Sequence, residues 1–251
     1  MHRFYLPPSH CQDNTIALTG PEAHHALHVL RIGPGERVVV LDGAGHELLC
    51  DVRDTAGGRV ELAVQQRNLL TSLPCRLTLI QAVTKPKSME IIVQKATELG
   101  ARRLVPVLSE RSVAQLEGEA AERKTEKWRT IAIEAIKQCG SPWLPAIEEP
   151  VKPGVFLARG ESFDLALLAS LQPGSRHPRE VLKAYHAEHG RPPRQIAVWV
   201  GPEGDFTPAE LGAIRGSGAQ AITLGPLVLR SETAAIYCLS FLSYELQAPP
   251  D

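Results

Sequence analysis

The 251-residue sequence contains no apolar run of the roughly 18 residues that a membrane-spanning helix needs. Its first residues also lack the apolar core of a signal peptide. The five cysteines are scattered and odd in number, with no CxxC pair and no His/Cys cluster at zinc spacing. We therefore expect a cytoplasmic protein with reduced thiols, no bound metal and no membrane contact. The net charge of −1 argues against a purely electrostatic binder of nucleic acid, but it does not exclude a local basic patch.

Three common catalytic signatures are absent as well. The sequence has no GxxxxGK[ST] P-loop, no GxGxxG after its first strand and no GxSxG nucleophile elbow. These absences argue against the common nucleotide-binding folds and against an α/β-hydrolase nucleophile.

The patterning changes near residue 72. Residues 1–72 hold one predicted helix, Pro21 to about Leu30, and short strand candidates separated by glycine-rich turns, which predicts a small β-barrel. Residues 73–251 alternate strands and helices, which predicts a mostly parallel sheet covered on both faces. The expected fold class is α/β, with one domain at 1–72 and a second at 73–251.

A strand–loop–helix segment near the C-terminus is the first functional signal. Residues 196–200 form an apolar run of strand length, and the turn 201–204 (Gly-Pro-Glu-Gly) follows directly. Thr207 and Glu210 have the spacing of a capping box, which predicts a helix start. Loops after buried strands are where α/β proteins bind ligands.

A second segment repeats this design. Residues 221–224 are a short strand candidate, Gly225 and Pro226 end it, and a helix opens near Ser231. The loop between them, 227–229 (Leu-Val-Leu), is apolar, which is typical of a buried pocket wall. We expect the two loops to form facing walls of one pocket, suited to a small molecule that contains adenosine.

The motifs also occur in an order that resembles a known family. Two of them are Val200-Gly201-Pro202-Glu203-Gly204 and Leu224-Gly225-Pro226-x-x-Leu229-Arg230-x-Glu232-Thr233-Ala234. Shorter motifs extend the match over nearly the whole chain: His25, Val29–Arg31, Leu41–Gly43, Lys85, Gln94–Gly100, Glu110–Ser112, Trp128–Ile131, Glu134-Ala135 and Gln138–Gly140. This set resembles the RsmE family, SPOUT-class methyltransferases that use S-adenosylmethionine to methylate N3 of a uridine in 16S ribosomal RNA.

The resemblance implies a trefoil-knotted C-terminal SPOUT domain, a PUA-like N-terminal barrel that helps to hold RNA, and a homodimer with its sites near the subunit interface. S-adenosylmethionine would be the cofactor, and RNA of the small ribosomal subunit the partner. The implied cofactor-binding residues lie in three strand-end segments: Leu168, Ala169, Gly201, Pro202, Glu203, Gly204, Leu224, Gly225, Leu227 and Leu229.

Methylation of uridine N3 requires the loss of an imide proton, so the site needs a proton acceptor or a group that stabilises the anion. We predict that Arg230 stabilises charge on the uracil oxygens and that Glu232 orients Arg230 or accepts the proton. The alternative is a structural ion pair between the two at the helix start. Glu203 is either an anchor of its loop or a polar wall of the pocket.

We predict RNA contacts at Arg31, Arg111 and Lys137. The chain departs from the family at Ser141, where an arginine is common, and at Lys137, where an acid is common. Two other functions stay open: a SPOUT-class transfer RNA methyltransferase, and a non-catalytic RNA-binding protein.

Overall fold

A computed structural model describes residues 1–112 and 116–247. The chain forms two compact units. The N-terminal unit contains Met1–Ser72 together with Ile133–Leu144, and the C-terminal unit contains Leu73–Ala132 and the chain from Pro145 onward. The predicted boundary at residue 72 separates the two units, but the segment 133–144, predicted as part of the second domain, groups with the N-terminal unit.

A five-stranded sheet forms the N-terminal unit. Its strand order is β1-β3-β4-β5-β2, with β1 and β3 parallel and the other neighbours antiparallel. Its core contains side chains from one face of each strand, for example Phe4, Leu48 and Leu62. The strands are β1 (His2–Tyr5), β2 (Thr15–Leu18), β3 (Arg37–Leu41), β4 (His46–Asp54) and β5 (Val60–Leu69).

The predicted helix of this unit is present, but it changes its winding. An α-helix, α1 (Gly20–His24), continues as a π-helical turn at His25–Val29, and the Leu30 amide donates to the His25 carbonyl at 3.0 Å. Arg31 ends the helix with a φ of +56°, a conformation that usually selects glycine at this position. A side chain there costs about 1 kcal/mol.

Three contacts account for the place of residues 133–144 in the N-terminal unit. Arg3 Nη1 donates to the backbone carbonyl of Gln138 at 3.2 Å. The Trp143 ring lies directly over Gly45, whose φ is +108°, so that an added Cβ would overlap the ring. Lys137 forms ion pairs with Glu22 and with its helical neighbour Glu134. Contacts between residues so distant along the chain leave no local signal in the sequence.

A six-stranded sheet forms the C-terminal unit, in the order β11-β9-β10-β6-β7-β8, and its recorded strand pairs are all parallel. The predicted parallel α/β pattern is thus confirmed. The strands are β6 (Arg76–Ala82), β7 (Ala101–Val107), β8 (Ala146–Ile147), β9 (Leu165–Ala169), β10 (Gln195–Val200) and β11 (Gln220–Ile222).

Helices connect these strands, and two short elements, β8 and α4, were not predicted. None of the helices in the described ranges is long and apolar enough to cross a membrane. The helices are α2 (Pro86–Glu98), α3 (Glu119–Cys139, which enters the N-terminal unit at residue 133), α4 (Pro153–Leu157), α5 (Pro178–His189), α6 (Pro208–Gly216) and α7 (Ser231–Leu246).

Asp164 ties the start of β9 to the start of β10. Its carboxylate accepts hydrogen bonds from the backbone amides of Arg194 (2.6 Å) and Gln195 (3.1 Å) and from the Arg191 guanidinium (3.0 Å). The Arg191 hydrogen bond is the main cause that lowers the pKa of Asp164 from 3.8 to about 2.

This lowered pKa predicts a specific loss of stability in acid. Because the folded-state pKa lies below the unfolded value, Asp164 contributes stability above pH 3.8, and the contribution is lost as the pH falls toward 2. Urea unfolding between pH 5 and pH 2.5 should therefore show a shallower pH dependence in Asp164→Asn than in the wild type. Equal slopes in the two proteins would contradict this role.

Candidate active site

The carboxyl ends of β9, β10 and β11 lead into three loops that meet around one recess. The recess is partly open to solvent, and its space measures about 570 Å³ when the open solvent at its mouth is included. It lies at the edge of a parallel sheet where ligands are usually bound. Its lining residues are Ala169, Ser170, Leu171, Val200, Gly201, Pro202, Glu203, Asp205, Leu224, Gly225, Leu227, Val228, Leu229, Ser231 and Ala234.

Most of the predicted cofactor-binding residues line this recess: Ala169, Gly201, Pro202, Glu203, Leu224, Gly225, Leu227 and Leu229. Two do not. Leu168 is fully buried in the hydrophobic core, because successive side chains of a strand point to opposite faces. Gly204 is exposed, outside the lining.

The sequence analysis missed seven lining residues: Ser170, Leu171, Val200, Asp205, Val228, Ser231 and Ala234. Six of them lie within two positions of a predicted cofactor-binding residue, so continuity along the same segments was the signal. The seventh, Ala234, lies in α7, five positions after Leu229. The apolar loop at 227–229 is more exposed than predicted. Leu227 and Val228 line the recess but are 71% and 80% exposed, so they stand at its mouth rather than inside a closed wall.

In the loop after β10, Asp205 supplies the left-handed backbone turn and Gly201 allows a close approach. Asp205 has a φ of +61°, and its Oδ1 accepts from the Phe206 amide at 2.8 Å. Gly201 is needed for close approach, since an added Cβ would lie 3.2 Å from Asp205 Oδ1 and 3.4 Å from Phe206 N. The predicted capping box is confirmed, with Thr207 and Glu210 bonding each other's backbone amides.

A neighbouring loop holds this one in place. Glu210 Oε1 accepts from the Glu110 amide at 3.0 Å, which ties α6 to the loop after β7. Arg111, in that same loop, donates from Nη1 to the Gly204 carbonyl at 2.7 Å. The predicted RNA contact at Arg111 is therefore an exposed side chain that also fixes the end of the 201–204 turn.

Two consecutive buried hydrogen bonds connect the central strand to the loops of the recess. Gln81, in the central strand β6, donates from Nε2 to Ser231 Oγ at 2.9 Å. Ser231 Oγ in turn donates to the Gly201 carbonyl at 2.7 Å. Gln81 is fully buried and Ser231 nearly so. Two separate loops of the recess are thus joined through the first residue of α7.

The charges of the lining are of one sign. Among the described lining residues, Glu203 and Asp205 are the ionisable side chains, and none is basic. A recess with two carboxylates and several apolar walls suits a ligand that carries both positive charge and apolar surface.

Comparison with known proteins identifies the family. Residues 71–243 match the family described as RNA methyltransferase domain, and residues 18–65 match the RNA methyltransferase PUA domain. The ribosomal RNA small subunit methyltransferase E of Aquifex aeolicus (strain VF5) is 35% identical over 245 residues, which cover 96% of this chain and 99% of that protein. The chain belongs to the RsmE family.

Two further RsmE proteins support the assignment. The enzyme of Bacillus subtilis (strain 168) is 30% identical over 236 residues, which cover 93% of this chain and 91% of that protein. A crystal structure of the Neisseria gonorrhoeae enzyme bound to S-adenosyl methionine has a TM-score of 0.85 and 28% identity, with 98% of each chain covered. The predicted family is thus confirmed: this is an RNA methyltransferase with an α/β fold and a PUA-like N-terminal domain.

The predicted catalytic residues of this RsmE chain stand at the rim of the recess. Arg230 is the N-cap of α7 and lies between two lining residues, Leu229 and Ser231. Arg230 is exposed and Glu232 is half-buried. Within the described ranges, neither side chain forms an ion pair or a hydrogen bond, so the structural ion pair considered as an alternative is not formed. The catalytic roles stay predictions.

The surroundings of Glu203 distinguish its two predicted roles, loop anchor and polar wall of the recess. Its side chain is exposed, lines the recess and makes no hydrogen bond to any residue of the described chain. The loop is anchored by Asp205 and Arg111 instead. Glu203 is therefore a polar wall of the recess rather than an anchor of its loop.

The predicted RNA contact at Lys137 conflicts with its surroundings, while the one at Arg31 stays a prediction. Lys137 is buried, and its ammonium donates to Glu22 Oε1 and Glu134 Oε1, each at 2.8 Å. Burial alone would lower the pKa of Lys137, but the two carboxylates outweigh it and the pKa is raised. Lys137 is a structural cation and does not present itself to RNA. Arg31 is exposed, as an RNA contact requires.

Proposed function

We propose that this RsmE-family chain transfers a methyl group from S-adenosylmethionine to N3 of a specific uridine in 16S ribosomal RNA. The observation that carries the proposal is the recess at three parallel strand ends, with Arg230 at its rim and no carboxylate paired to it in the described chain. The names of the relatives, and the cofactor bound to the Neisseria enzyme, support the substrate and the methyl donor.

The recess fits the proposed cofactor in its charge and in its apolar surface. When bound, S-adenosylmethionine supplies an electrophilic methyl group on a positively charged sulfonium. Glu203 and Asp205 offer that positive charge a favourable potential, and Leu227 and Leu229 offer apolar surface to an adenine ring. Backbone groups of the 201–204 turn supply polar contacts.

The side chains at the rim provide for the proton and for the developing charge. N3 of uridine becomes a nucleophile only as its imide proton leaves, and negative charge then grows on the two uracil oxygens. Arg230, exposed beside the recess, is placed to stabilise that charge with its guanidinium. Glu232, in the first turn of α7, is the carboxylate nearest along the chain and accepts the proton in this proposal. Its other predicted role, to orient Arg230, would need a contact that the two side chains do not make within the described residues.

RNA binding in this proposal uses exposed arginines on each unit separately. Arg31 lies at the end of the π-helical turn in the N-terminal unit, and Arg111 lies beside the 201–204 turn in the C-terminal unit. Arginine suits this role because its planar guanidinium can hold a phosphate with two hydrogen bonds. A ribosomal RNA substrate also fits a cytoplasmic enzyme.

A trefoil knot and a homodimer complete the proposal. Membership of the RsmE family supports both, and α7 supports the dimer, since its side chains Tyr237 and Tyr244 are 47% and 78% exposed. Exposed aromatic side chains of this kind favour a protein interface. Sedimentation equilibrium should give twice the monomer mass, and a monomer at micromolar concentration would contradict the dimer.

Two experiments test the function. Calorimetry with S-adenosylmethionine separates an enzyme from a non-catalytic RNA-binding protein, which should show no binding. Mass mapping of ribosomal RNA from cells that lack the protein should then show the loss of one N3-methyluridine in 16S RNA. An unchanged 16S pattern with a missing transfer RNA methylation would instead favour the transfer RNA methyltransferase.

The two carboxylates of the recess predict a charge preference between cofactor and product. Glu203→Gln should weaken binding of S-adenosylmethionine about 3- to 10-fold, because one unit of attractive charge at the surface amounts to about 1 kcal/mol. The neutral thioether S-adenosylhomocysteine should lose less affinity. Calorimetry with both ligands provides the measurement, and equal losses would show that Glu203 does not sense the sulfonium.

A further inference from the structure

Gln81 occupies an unusual position for a polar side chain. It lies near the carboxyl end of β6, the central strand that pairs with β10 and β7, and it is fully buried. Its amide nitrogen makes two hydrogen bonds, one to the neighbouring Ala82 carbonyl at 2.9 Å and one to Ser231 Oγ at 2.9 Å. Both amide hydrogens are therefore used.

The direction of the hydrogen-bond chain is fixed by its ends. Gln81 Nε2 can only donate and the Gly201 carbonyl can only accept, so the Ser231 hydroxyl must accept from Gln81 and donate to Gly201. The Ser231 hydroxyl has its hydrogen committed to Gly201. Its role is to hold the backbone of the 201–204 turn against the start of α7.

This arrangement carries a cost that an apolar residue would avoid. Within the described chain, the other amide atom, Gln81 Oε1, is buried and has no hydrogen-bond partner. An unpaired buried carbonyl is destabilising, whereas a well-packed apolar side chain of the same size would not be. A buried polar residue that lowers stability is more readily explained by function than by folding.

We propose that Gln81 is a positioning residue of the methyltransferase site, acting through Ser231. The inference rests on the proposed function, because it assigns Gln81 a task in that same recess. Gly201 and Ser231 both line the recess, and Arg230 directly precedes Ser231. The chain from Gln81 thus sets the distance between the 201–204 turn and Arg230, which carries the predicted catalytic charge.

Substitutions can separate positioning from stability. Gln81→Met keeps the volume and removes both donors and the unpaired carbonyl. We expect an unchanged or raised melting temperature, an affinity for S-adenosylmethionine lowered several-fold, and kcat lowered about 10- to 100-fold, since misplacement of a reacting group by about 1 Å can cost 100-fold. Ser231→Ala should lower kcat similarly.

The double variant tests whether the two residues act as one unit. Because Gln81 acts through Ser231, Gln81→Met combined with Ser231→Ala should lower kcat about as much as either single change. Thr97→Val is a matched control: Thr97 is also buried in the C-terminal unit, and among the residues that the structure describes its hydroxyl bonds only the Val93 carbonyl of its own helix. It should leave kcat and cofactor affinity unchanged.

Three results would overturn the inference. One is wild-type kcat and affinity in Gln81→Met, another is strictly multiplicative losses in the double variant, and the third is a fall in melting temperature that accounts for the lost activity. If Gln81→Met does not fold, Ser231→Ala with its own melting temperature decides the matter by the same criteria. Failure of the wild-type protein to bind S-adenosylmethionine would defeat the proposed function instead, and calorimetry on the wild type shows which has failed.

Discussion

Replacing Arg230 with alanine should lower methyl transfer by about 10²- to 10³-fold, the usual loss when a group that stabilises developing negative charge is removed. Affinity for S-adenosylmethionine should stay within about twofold of the wild type, because Arg230 is not among the residues that line the recess. Single-turnover methylation at saturating RNA and cofactor measures the first quantity, and calorimetry measures the second.

Two further variants make the Arg230 experiment specific. Arg230→Lys keeps the charge but loses the planar pair of donors, so it should recover only part of the activity. Arg215→Ala removes another exposed arginine, on α6 and outside the lining, and should behave as wild type. Wild-type turnover in Arg230→Ala, or an equal loss in Arg215→Ala, would contradict the assignment of charge stabilisation to Arg230.

Lys137→Ala should destabilise the protein by about 3 kcal/mol, because breaking a buried ion pair leaves its partner with an uncompensated charge. That partner is Glu22, whose side chain is only 17% exposed and whose Oε2 already lacks a hydrogen bond in the described chain. Glu134 is far more exposed and can be solvated by water. Chemical unfolding followed by circular dichroism gives the loss.

A paired substitution distinguishes this ion pair from simple loss of packing. Lys137→Met together with Glu22→Leu removes both charges and keeps apolar volume, so it should recover most of the stability that Lys137→Ala loses. The folded double variant should also bind RNA as the wild type does. A loss of RNA affinity with stability intact would instead restore Lys137 as an RNA contact.

Much of the C-terminal unit was predictable because its signals are local. The apolar run 196–200, the capping box at Thr207 and the glycine after α2 each fix an element boundary within a few residues. The positions of the loops after these strands then predicted most of the lining of the recess, since the carboxyl ends of neighbouring parallel strands lie at one edge of the sheet. Periodicity and turn chemistry contain this information.

What the sequence could not provide depends on contacts between distant residues. Leu168 and Ala169 are adjacent in the sequence, but Leu168 lies in the hydrophobic core and Ala169 lines the recess. Which of the two faces the core depends on the packing of the whole sheet. Lysine is usually exposed, and the ion pair that buries Lys137 is formed with Glu22, which lies 115 residues away in the sequence. The π-helical turn before Arg31 likewise has no short-range signature.

The grouping of residues 133–144 with the N-terminal unit has a consequence for dissection of the chain. The polypeptide passes from one unit to the other three times, after Ser72, after Ala132 and after Leu144. A fragment that ends at Ser72 would lose Trp143 from Gly45, Lys137 from Glu22 and the carbonyls that hold Arg3. The N-terminal unit is therefore not a detachable module: its last segment is synthesised only after more than half of the chain has been made.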